Sequence, residues 1–415
     1  MLLSVITPTH QADYLEEAYQ SLKLQKYKNW EWVIAPNNDD VVIPATIQRD
    51  PRVRVVKESM SDYNIGAIKR HAFDTALGDV FIELDHDDML RPADTLGSIQ
   101  RAAKDGGGFI YSDNAVFRYR AASSRYSTPW PLYNEYTFSG EHGWESYPVS
   151  VYGRTFQASK CFDITPRSLC EIYYCPDHVR CWTRETYYAA GGHNPDLSVC
   201  DDQELMIKSF LCGANFRHTG GCHYLYRMFN HNTVLARNKQ IQDMTATLKK
   251  QYLSPLIAAW VRREGLKTID LADRWREGWR PDTNLSPGCF ETGVVGHIKA
   301  EDQLQWFSGE QVREFLNEAY ASLVPGGYLT IVVPEVHSGM GYGDVEWKSQ
   351  FSKMSMLPYT QTKAAKANGN INCRFQQIAC TEVFPSVWHR DHDCKYLKFE
   401  LLALKGQRSP GMKRI

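Results

Sequence analysis

Three carboxylates, Asp85, Asp87 and Asp88, follow the apolar run Val80–Leu84 within four residues. This pattern predicts a buried strand that ends in an acidic turn. Carboxylates this close repel one another, and a hard divalent ion such as Mn²⁺ or Mg²⁺ would keep them ionised because it takes oxygen ligands. A solvated acidic turn ahead of a helix near Pro92 would give the same pattern. The two interpretations differ in whether a cation binds here.

A second acidic stretch, Asp201 to Glu204, follows a pair of glycines. We expect a helix here, with Asp201 as its N-cap and Glu204 closing a capping box. The helix dipole alone would favour Asp202 in the first turn. The same dipole would keep Asp202 ionised, as a general base requires. Asp202 is therefore the candidate base, and Asp201 is better explained as a cap.

Short apolar strands alternate with helices ahead of the first acidic turn, which predicts an α/β nucleotide-binding unit. The expected strands are Leu2–Ile6, Trp30–Ala35 and Val80–Leu84, and the expected helices are Asp13–Leu22 and Asn64–Ala76. Ligands of such open sheets bind beyond the carboxyl ends of the strands. The turns at Pro8, Asn37 and Asp85 should therefore face one crevice, where Arg70 could meet a diphosphate.

Length and composition narrow the class of protein. A chain of 415 residues predicts two or three domains. A net charge of -1 argues against general binding to nucleic acid or to a membrane surface. No apolar run approaches the roughly 20 residues of a membrane helix. Eleven cysteines without a secretory leader predict reduced thiols and a cytoplasmic protein.

Five soft ligands lie within twenty-one residues: Cys161, Cys170, Cys175, His178 and Cys181. They could hold a structural zinc ion. Their spacing lacks the paired C-x-x-C knuckles that make zinc assignments specific, and buried thiols are the favoured interpretation.

Several motifs of the first half, in the same order, resemble family 2 of the inverting glycosyltransferases, which have the GT-A fold. The similarity covers about residues 1–235. It is carried by Ser4–Thr9, by Ser21-Leu22 with Gln25 and Tyr27, by Gly66 with Lys69-Arg70-His71, and by Leu84–Asp88 with Pro92.

The resemblance implies transfer of a sugar from a nucleotide-sugar to a hydroxyl group of an acceptor. It assigns Pro8, Thr9, His10, Asn37, Arg70, Asp85 and His86 to the nucleotide site. Two departures from the family pattern leave the base open, although uridine is expected. Pro36-Asn37 replaces the usual acidic pair, and His10-Gln11 replaces the usual aromatic-asparagine step.

The resemblance also implies a metal site and a base. Asp85 and Asp87 would form the metal-binding D-x-D motif, with Mn²⁺ or Mg²⁺ as the ion. His231 is a further candidate metal ligand, although its spacing from Tyr226-Arg227 matches only after a shift. Asp202 falls at the position of the family's catalytic aspartate.

The chain changes character past Asn238. Gln240–Arg263 is predicted to form one or two helices with a break at Ser254-Pro255. Strands are expected at Thr268–Leu271, Glu291–Val295 and Tyr328–Val333. A capping box at Ser308 should open a helix that continues to Tyr320 and stops at a Pro-Gly-Gly turn.

Residues Thr268 to Lys405 resemble the later half of class I methyltransferases that use S-adenosylmethionine. Tyr396–Leu404 would be the last strand of that fold. No glycine-rich turn precedes Ile269, so S-adenosylmethionine is not expected to bind. The predicted domains are a glycosyltransferase domain at 1–238, a helical linker at 239–267, and a truncated methyltransferase-like domain at 268–415.

Three classes of function remain open. The first is a glycosyltransferase with an accessory domain that is structural, binds acceptor or forms a homodimer. The second is a bifunctional enzyme that glycosylates and then methylates one glycan. The third is a non-catalytic protein that binds nucleotide-sugars or glycans. The acceptor could be a polysaccharide, a lipid-linked glycan, a protein or a modified nucleobase.

Overall fold

The computed structural model describes residues 1–38, 40–56, 64–117, 142–151, 153–228, 232–278 and 288–411. The chain forms two compact units, Met1–Leu256 and Ile257–Met412. The change of unit falls inside a single long helix, within the range predicted to be a linker. The functions assigned to the predicted domains stay predictions.

The described part of the first unit contains a ten-stranded sheet. Its strands are β1 Leu3–Thr9, β2 Trp30–Pro36, β3 Val53–Val55, β4 Val80–Glu83, β5 Met89–Leu90, β6 Phe109–Phe117, β7 Ser146–Val151, β8 Arg154–Ser159, β9 Arg180–Thr183 and β10 Phe216–Arg227. Eight of them follow the order β3-β2-β1-β4-β9-β6-β10-β5, and β7 pairs with β8, which pairs with β6. β9 runs antiparallel to both of its neighbours, β4 and β6.

Helices connect and cover these strands, which confirms the predicted α/β class. They are α1 Leu15–Lys23, α2 Ala45–Gln48, α3 Ile65–Thr75, α4 Thr95–Lys104, α5 Pro166–Leu169, α6 Arg184–Ala189, α7 Asp201–Leu211, α8 Thr233–Ala236 and α9 Asn238–Arg263. The predicted strands ending near Ile6, Ala35 and Leu84 and the first two predicted helices are all present. β4 is buried along its whole length, as expected for a central strand covered on both faces.

α3 begins where a polar residue caps it and where the backbone of another segment comes very close. The Asn64 side chain accepts a hydrogen bond from the Ala67 N–H (3.1 Å). The Gly66 N–H donates to the Leu197 carbonyl (3.1 Å). A Cβ at position 66 would lie 2.1 Å from the Asn194 carbonyl oxygen. Only glycine fits here without moving the 194–197 backbone.

Gly66→Ala is therefore expected to lower the free energy of unfolding of the first unit by about 1–3 kcal/mol, the usual cost of overpacking. The measurement is urea unfolding followed by hydrogen-deuterium exchange of α3 peptides. Gly309→Ala is the matched control, because a Cβ there meets nothing within 4 Å. Equal stability of wild type and Gly66→Ala would show that the 194–197 segment can move aside at no cost.

The predicted break at Ser254-Pro255 is wrong. α9 is continuous from Asn238 to Arg263, with Pro255 inside it. Leu253 and Leu256, on either side of the proline, are buried. Their packing offsets the roughly 3 kcal/mol that an interior proline costs a helix. Within the described ranges, no helix has both the length and the apolar composition needed to cross a bilayer.

The second unit contains a five-stranded sheet in its described part, in the order β11-β12-β13-β15-β14. Its strands are β11 Lys267–Asp270, β12 Val295–Glu301, β13 Leu323–Pro334, β14 Phe375–Val383 and β15 Tyr396–Ala403, and its helices are α10 Leu271–Arg276, α11 Gly309–Ser322, α12 Leu357–Thr360, α13 Thr362–Asn368 and α14 Val387–Asp391. β11, β12 and β13 are parallel, and the remaining two pairings are antiparallel.

Several sequence predictions can be compared with this unit directly, among them the capping box at Ser308 and the strand at Glu291–Val295. The capping box at Ser308 is confirmed, with reciprocal hydrogen bonds between Ser308 and Gln311. The strand expected at Glu291–Val295 is wrong, because β12 begins only at Val295. Residues 291–294 are exposed and have no apolar face to bury. The resemblance to methyltransferases stays a prediction.

Candidate functional site

The carboxyl ends of β1, β2 and β4 meet at one edge of the first sheet. Thr9 pairs with Pro36 at the ends of β1 and β2, and Ile6 of β1 pairs with Glu83 of β4. β9 is antiparallel to β4. Arg180, the first residue of β9, therefore lies at the same edge as the end of β4. This edge is the predicted crevice.

Residues assigned to the nucleotide lie together at this edge. The Asn37 N–H donates to the Thr9 carbonyl (2.9 Å). The rings of His10 and His86 meet edge to face, with centroids 4.6 Å apart. The Gln11 amide lies 3.2 Å from the His86 Nε2. Burial and the nearby His10 lower the pKa of His86 to about 4, so this ring is neutral near pH 7.

Pro8 is half-buried near the end of β1 beside these residues. Arg70, which was also assigned to the nucleotide, makes its contacts elsewhere. Its guanidinium donates to Asp74 (2.9 Å) and to the Gly191 carbonyl. The structure therefore does not bring Arg70 into the group formed by His10, Asn37 and His86.

A buried arginine holds the acidic turn that follows β4. The Arg227 N–H donates to Asp88 Oδ1 (2.6 Å), and its Nε donates to the Asp87 carbonyl (2.6 Å). The Arg227 Nη2 pairs with Glu17 on α1. A hydrogen bond from the Asp88 N–H to the Asp85 carbonyl (3.1 Å) closes the turn. This turn brings Asp85 and Asp88 to the same side.

The acids of this turn lie in an environment that disfavours negative charge. Burial raises the pKa of Asp88 well above its ordinary value, and the charges of Asp87 and Asp85 add to the effect. Burial also raises the pKa of Asp87. Such a group of carboxylates is stabilised by a cation.

Three side chains could hold that cation together. Potential ligand atoms of Asp85, Asp88 and His178 all lie within 4.8 Å of one another. Two carboxylates and an imidazole fit a first-row divalent ion such as Mn²⁺. Asp87 was predicted to bind the ion together with Asp85, but among the described residues it is not a member of this group. The turn brings Asp88, instead of Asp87, to the same side as Asp85. His231 lies outside the described residues.

A second group of charged residues is buried behind the acidic turn. The Lys69 Nζ lies 3.0 Å from Glu83 Oε1 and 3.2 Å from Asp201 Oδ2. The ring nitrogens of His193 lie 3.3 Å from the same Glu83 oxygen and 3.0 Å from the same Asp201 oxygen. Glu83, His193 and Asp201 resemble a metal site in composition. The Lys69 ammonium lies against both carboxylates and Arg180 lies by Glu83, so positive charge is already present where an ion would bind.

The pKa values of this group show that its charges are mutually compensated. Burial would lower the pKa of Lys69, but Asp201 and Glu83 raise it above its ordinary value. Burial would raise the pKa of Asp201, but Lys69 and His193 lower it to about 2. Burial opposes the protonated form of His193, yet Asp201 and Glu83 raise its pKa.

The prediction that Asp201 caps a helix is wrong. α7 begins at Asp201, and its N-cap is Cys200 in the left-handed conformation (φ 59°), whose side chain makes no capping hydrogen bond to the helix. Glu204 closes no capping box and instead contacts Tyr252, Asn194 and Lys208. Asp201 is buried against Lys69, a stronger interaction than a cap exposed to solvent would provide.

Arg180 connects the buried charges to the candidate base. Its Nη1 contacts Asp202 Oδ2 and lies 3.4 Å from Glu83 Oε2. Asp202 Oδ1 accepts a hydrogen bond from the Gln203 N–H (2.7 Å). The Asp202 side chain keeps 15% of its surface exposed, so a small hydroxyl group can reach it. These contacts bring Asp202 to the edge that carries the acidic turn.

The model of one known protein family matches the part of the chain that contains β1, β2 and β4. Residues 4–160 match glycosyl transferase family 2. The match includes the acidic turn, stops before Asp202, and covers less than half of the chain. No curated protein matches the chain.

Several solved structures are similar to this chain at low identity. S. aureus TarS 1-349 is 14% identical, with 62% of this chain and 71% of that chain covered and a TM-score of 0.42. The complex of TarS 1-349 with UDP-GlcNAc is 14% identical, with 62% of this chain and 72% of that chain covered and a TM-score of 0.43. A third similar structure is the mannosyltransferase PcManGT from Pyrobaculum calidifontis in complex with GDP-Man and Mn²⁺. It is 16% identical, with 63% of this chain and 64% of that chain covered and a TM-score of 0.38.

The cysteines near β9 do not form a zinc site in the described residues. The candidate metal groups there contain no cysteine. The thiols of Cys161 and Cys175 instead donate to backbone carbonyls, at 3.1 Å in each case. Of the five soft ligands in this stretch, His178 alone contributes to a group, with Asp85 and Asp88.

Sequence reasoning missed Arg180 and His193 as parts of the site and placed His178 in a different one. All three come from the second half of the unit. Arg180 and His178 reach the edge because β9 runs antiparallel to β4. Lys69 was noted only as a motif residue, and contact with the nucleotide was assigned to its neighbour Arg70.

Proposed function

We propose that this protein is a metal-dependent inverting glycosyltransferase of the GT-A fold. It moves a sugar from a nucleotide-sugar, with UDP as the expected nucleotide, to a hydroxyl acceptor. One observation carries the proposal: the acidic turn and the ionisable Asp202 share one sheet edge and are connected through Arg180 and Glu83. The match of residues 4–160 to glycosyl transferase family 2 supports it.

The donor would occupy the edge in two parts. The nucleobase of the donor would lie by Pro8, His10 and Asn37, with the neutral ring of His86 behind the nucleobase. The diphosphate would lie by the acidic turn, where Asp85 and Asp88 converge. Asp87, predicted from the sequence to bind the ion, stays a further candidate ligand. A bound divalent ion would supply charge neutralisation to the departing diphosphate.

The reaction is a single displacement at the anomeric carbon. The acceptor oxygen forms a bond to that carbon on the face opposite the diphosphate. The bond from the carbon to the diphosphate oxygen breaks, and the nucleoside diphosphate leaves with the bonding electrons. Asp202 takes the hydroxyl proton on Oδ2 as its contact with Arg180 loosens, and Arg180 keeps Glu83 as its partner.

The second unit is proposed to be an accessory module rather than a methyltransferase. It would support structure, acceptor binding or a homodimer. The expectation that S-adenosylmethionine does not bind stays a prediction. Methyl transfer to a glycosylated product would favour the bifunctional alternative.

UDP and Mn²⁺ together are expected to raise the melting temperature more than the sum of their separate effects. Binding at 100 times Kd stabilises by about 2.7 kcal/mol, which corresponds to about 5 °C or more for a unit of this size. Differential scanning fluorimetry with UDP and GDP, each with Mn²⁺, Mg²⁺ or chelator, measures the effect. Release of UDP from UDP-sugars then tests catalysis.

Asp85→Asn should abolish the metal-dependent part of the shift. Asp105→Asn, a change at an exposed carboxylate after α4, is the control and should retain it. A shift that is the same with Mn²⁺ and with chelator would contradict the metal requirement. Binding without release of UDP from any nucleotide-sugar would favour the non-catalytic alternative.

A further inference from the structure

His178 lies at the acidic turn with its proton held on one side of the ring. Its Nδ1 lies 3.0 Å from Asp177 Oδ1, which also accepts the His178 backbone N–H (2.9 Å). A carboxylate only accepts hydrogen bonds, so Nδ1 carries the proton. Asn114 donates to the other oxygen of Asp177 (2.9 Å) and fixes its orientation. In the tautomer that carries its proton on Nδ1, the lone pair is on Nε2.

The Nε2 of His178 faces another acceptor. It lies 3.3 Å from Asp85 Oδ2, and the ring is buried and stacked on Tyr224 at 4.6 Å. The buried Asp88 side chain is in the same group and shares a hydrogen bond with the Tyr224 hydroxyl. A proton placed among these three acceptor atoms could form a hydrogen bond between only two of them. An ion at their centre would serve all three.

We propose that His178 is a protein ligand of the divalent ion, binding through Nε2 beside Asp85 and Asp88. This inference rests on the proposed metal-dependent function. The three ligand atoms lie within 4.8 Å of one another, and opposite ligands of an ion at about 2.1 Å are about 4.2 Å apart. Small side-chain movements therefore suffice. Asp177 has the position of the carboxylate that commonly orients a metal-bound histidine.

The contrast with Glu83, His193 and Asp201 supports this choice between the two groups. There the Lys69 ammonium lies within 3.2 Å of both carboxylates and takes the place of an ion. At the acidic turn, Arg227 directs its guanidinium to Glu17 and to the Asp87 carbonyl. A divalent ion would add positive charge beside the carboxylates of Asp85 and Asp88.

The test uses the full chain with Mn²⁺ and UDP. Pulsed electron paramagnetic resonance of bound Mn²⁺ is expected to show coupling to an imidazole nitrogen, and His178→Asn is expected to remove it. Asparagine can keep the hydrogen bond to Asp177, which preserves the local fold. Loss of the ligand should raise the Kd for Mn²⁺ at least about tenfold by titration.

Two further variants make the result specific. His178→Gln places an oxygen near the Nε2 position, so it should lose the nitrogen coupling while binding Mg²⁺ nearly as well as Mn²⁺. His218→Asn alters another histidine–carboxylate pair (3.0 Å to Asp113) and should leave both the coupling and the Kd unchanged.

The outcomes separate this inference from the proposed function. Nitrogen coupling that persists in His178→Asn, or Mn²⁺ bound with no nitrogen coupling in wild type, would overturn the role of His178 alone. Coupling through His178 without sugar transfer would overturn the function alone. Absence of Mn²⁺ binding in the presence of UDP would overturn the metal requirement and this inference with it.

Discussion

Asp202→Asn is expected to lower the rate of sugar transfer by about 10²–10⁴-fold, the usual contribution of a general base. Asparagine has the same size and can still accept the hydrogen bond from the Gln203 N–H. It cannot take a proton from an acceptor hydroxyl near neutral pH. Binding of UDP and Mn²⁺ should be unchanged, because the change spares the acidic turn. Initial rates of nucleoside diphosphate release and calorimetric titration measure the two effects.

Glu204→Gln is the matched control for this variant. Glu204 is also an acid in the first turn of α7, so it has the same relation to the helix dipole. Its partners are Tyr252, Asn194 and Lys208, and Arg180 is not among these contacts. Wild-type transfer is therefore expected for Glu204→Gln. Equal losses in both variants would mean that Asp202 acts only through the helix, and equal loss of UDP binding in Asp202→Asn would contradict the division of roles.

Lys69→Met is expected to lower the free energy of unfolding of the first unit by about 3–5 kcal/mol. Methionine fills a similar volume, so the loss comes from charge. Glu83 and Asp201 would remain buried without the ammonium that lies 3.0 and 3.2 Å from them. Urea unfolding followed by hydrogen-deuterium exchange of β4 and α7 peptides reports this unit separately from the second.

Two further variants identify charge as the cause. Lys69→Met with Asp201→Asn removes one charge of each sign and should recover part of the loss. Lys239→Met disrupts an exposed ion pair with Asp243 (2.6 Å) and should leave stability unchanged. If Lys69→Met were as stable as wild type, the buried group would not depend on charge compensation.

The same network predicts how stability depends on acid. The pKa of Asp201 in the folded chain is about 2, below its ordinary value of about 3.9. The contribution of the ionised Asp201 to the free energy of unfolding is therefore fully present above about pH 4 and is lost as the pH falls through about 2.

Local patterns were sufficient to predict much of the fold. The apolar run ending in acids predicted β4 and its turn, and the capping box at Ser308 predicted the start of α11. These features depend on neighbours in sequence. The continuity of α9 through Pro255 was missed because burial of the flanking leucines outweighs a local preference.

The site was predictable only where its residues are close in sequence. Asp201 was interpreted as a cap because its partner Lys69 comes from a distant helix. Arg180 and His178 were missed as site residues because no local pattern reveals that a short strand is inserted antiparallel between β4 and β6. The turn at Asp85 was found, but the pairing of Asp85 with Asp88 depends on its backbone hydrogen bond.

The reversed strand has a consequence for how the two halves of the site communicate. Arg180, at its first position, contacts Asp202 with one nitrogen and lies 3.5 Å from Asp177 with another. Asp177 in turn holds His178. The Arg180 guanidinium thus connects Asp202, the carboxylate proposed to receive the proton, with His178, the imidazole proposed to bind the ion. Replacing Arg180 would perturb both ends at once, so its kinetic defect could not be attributed to either step alone.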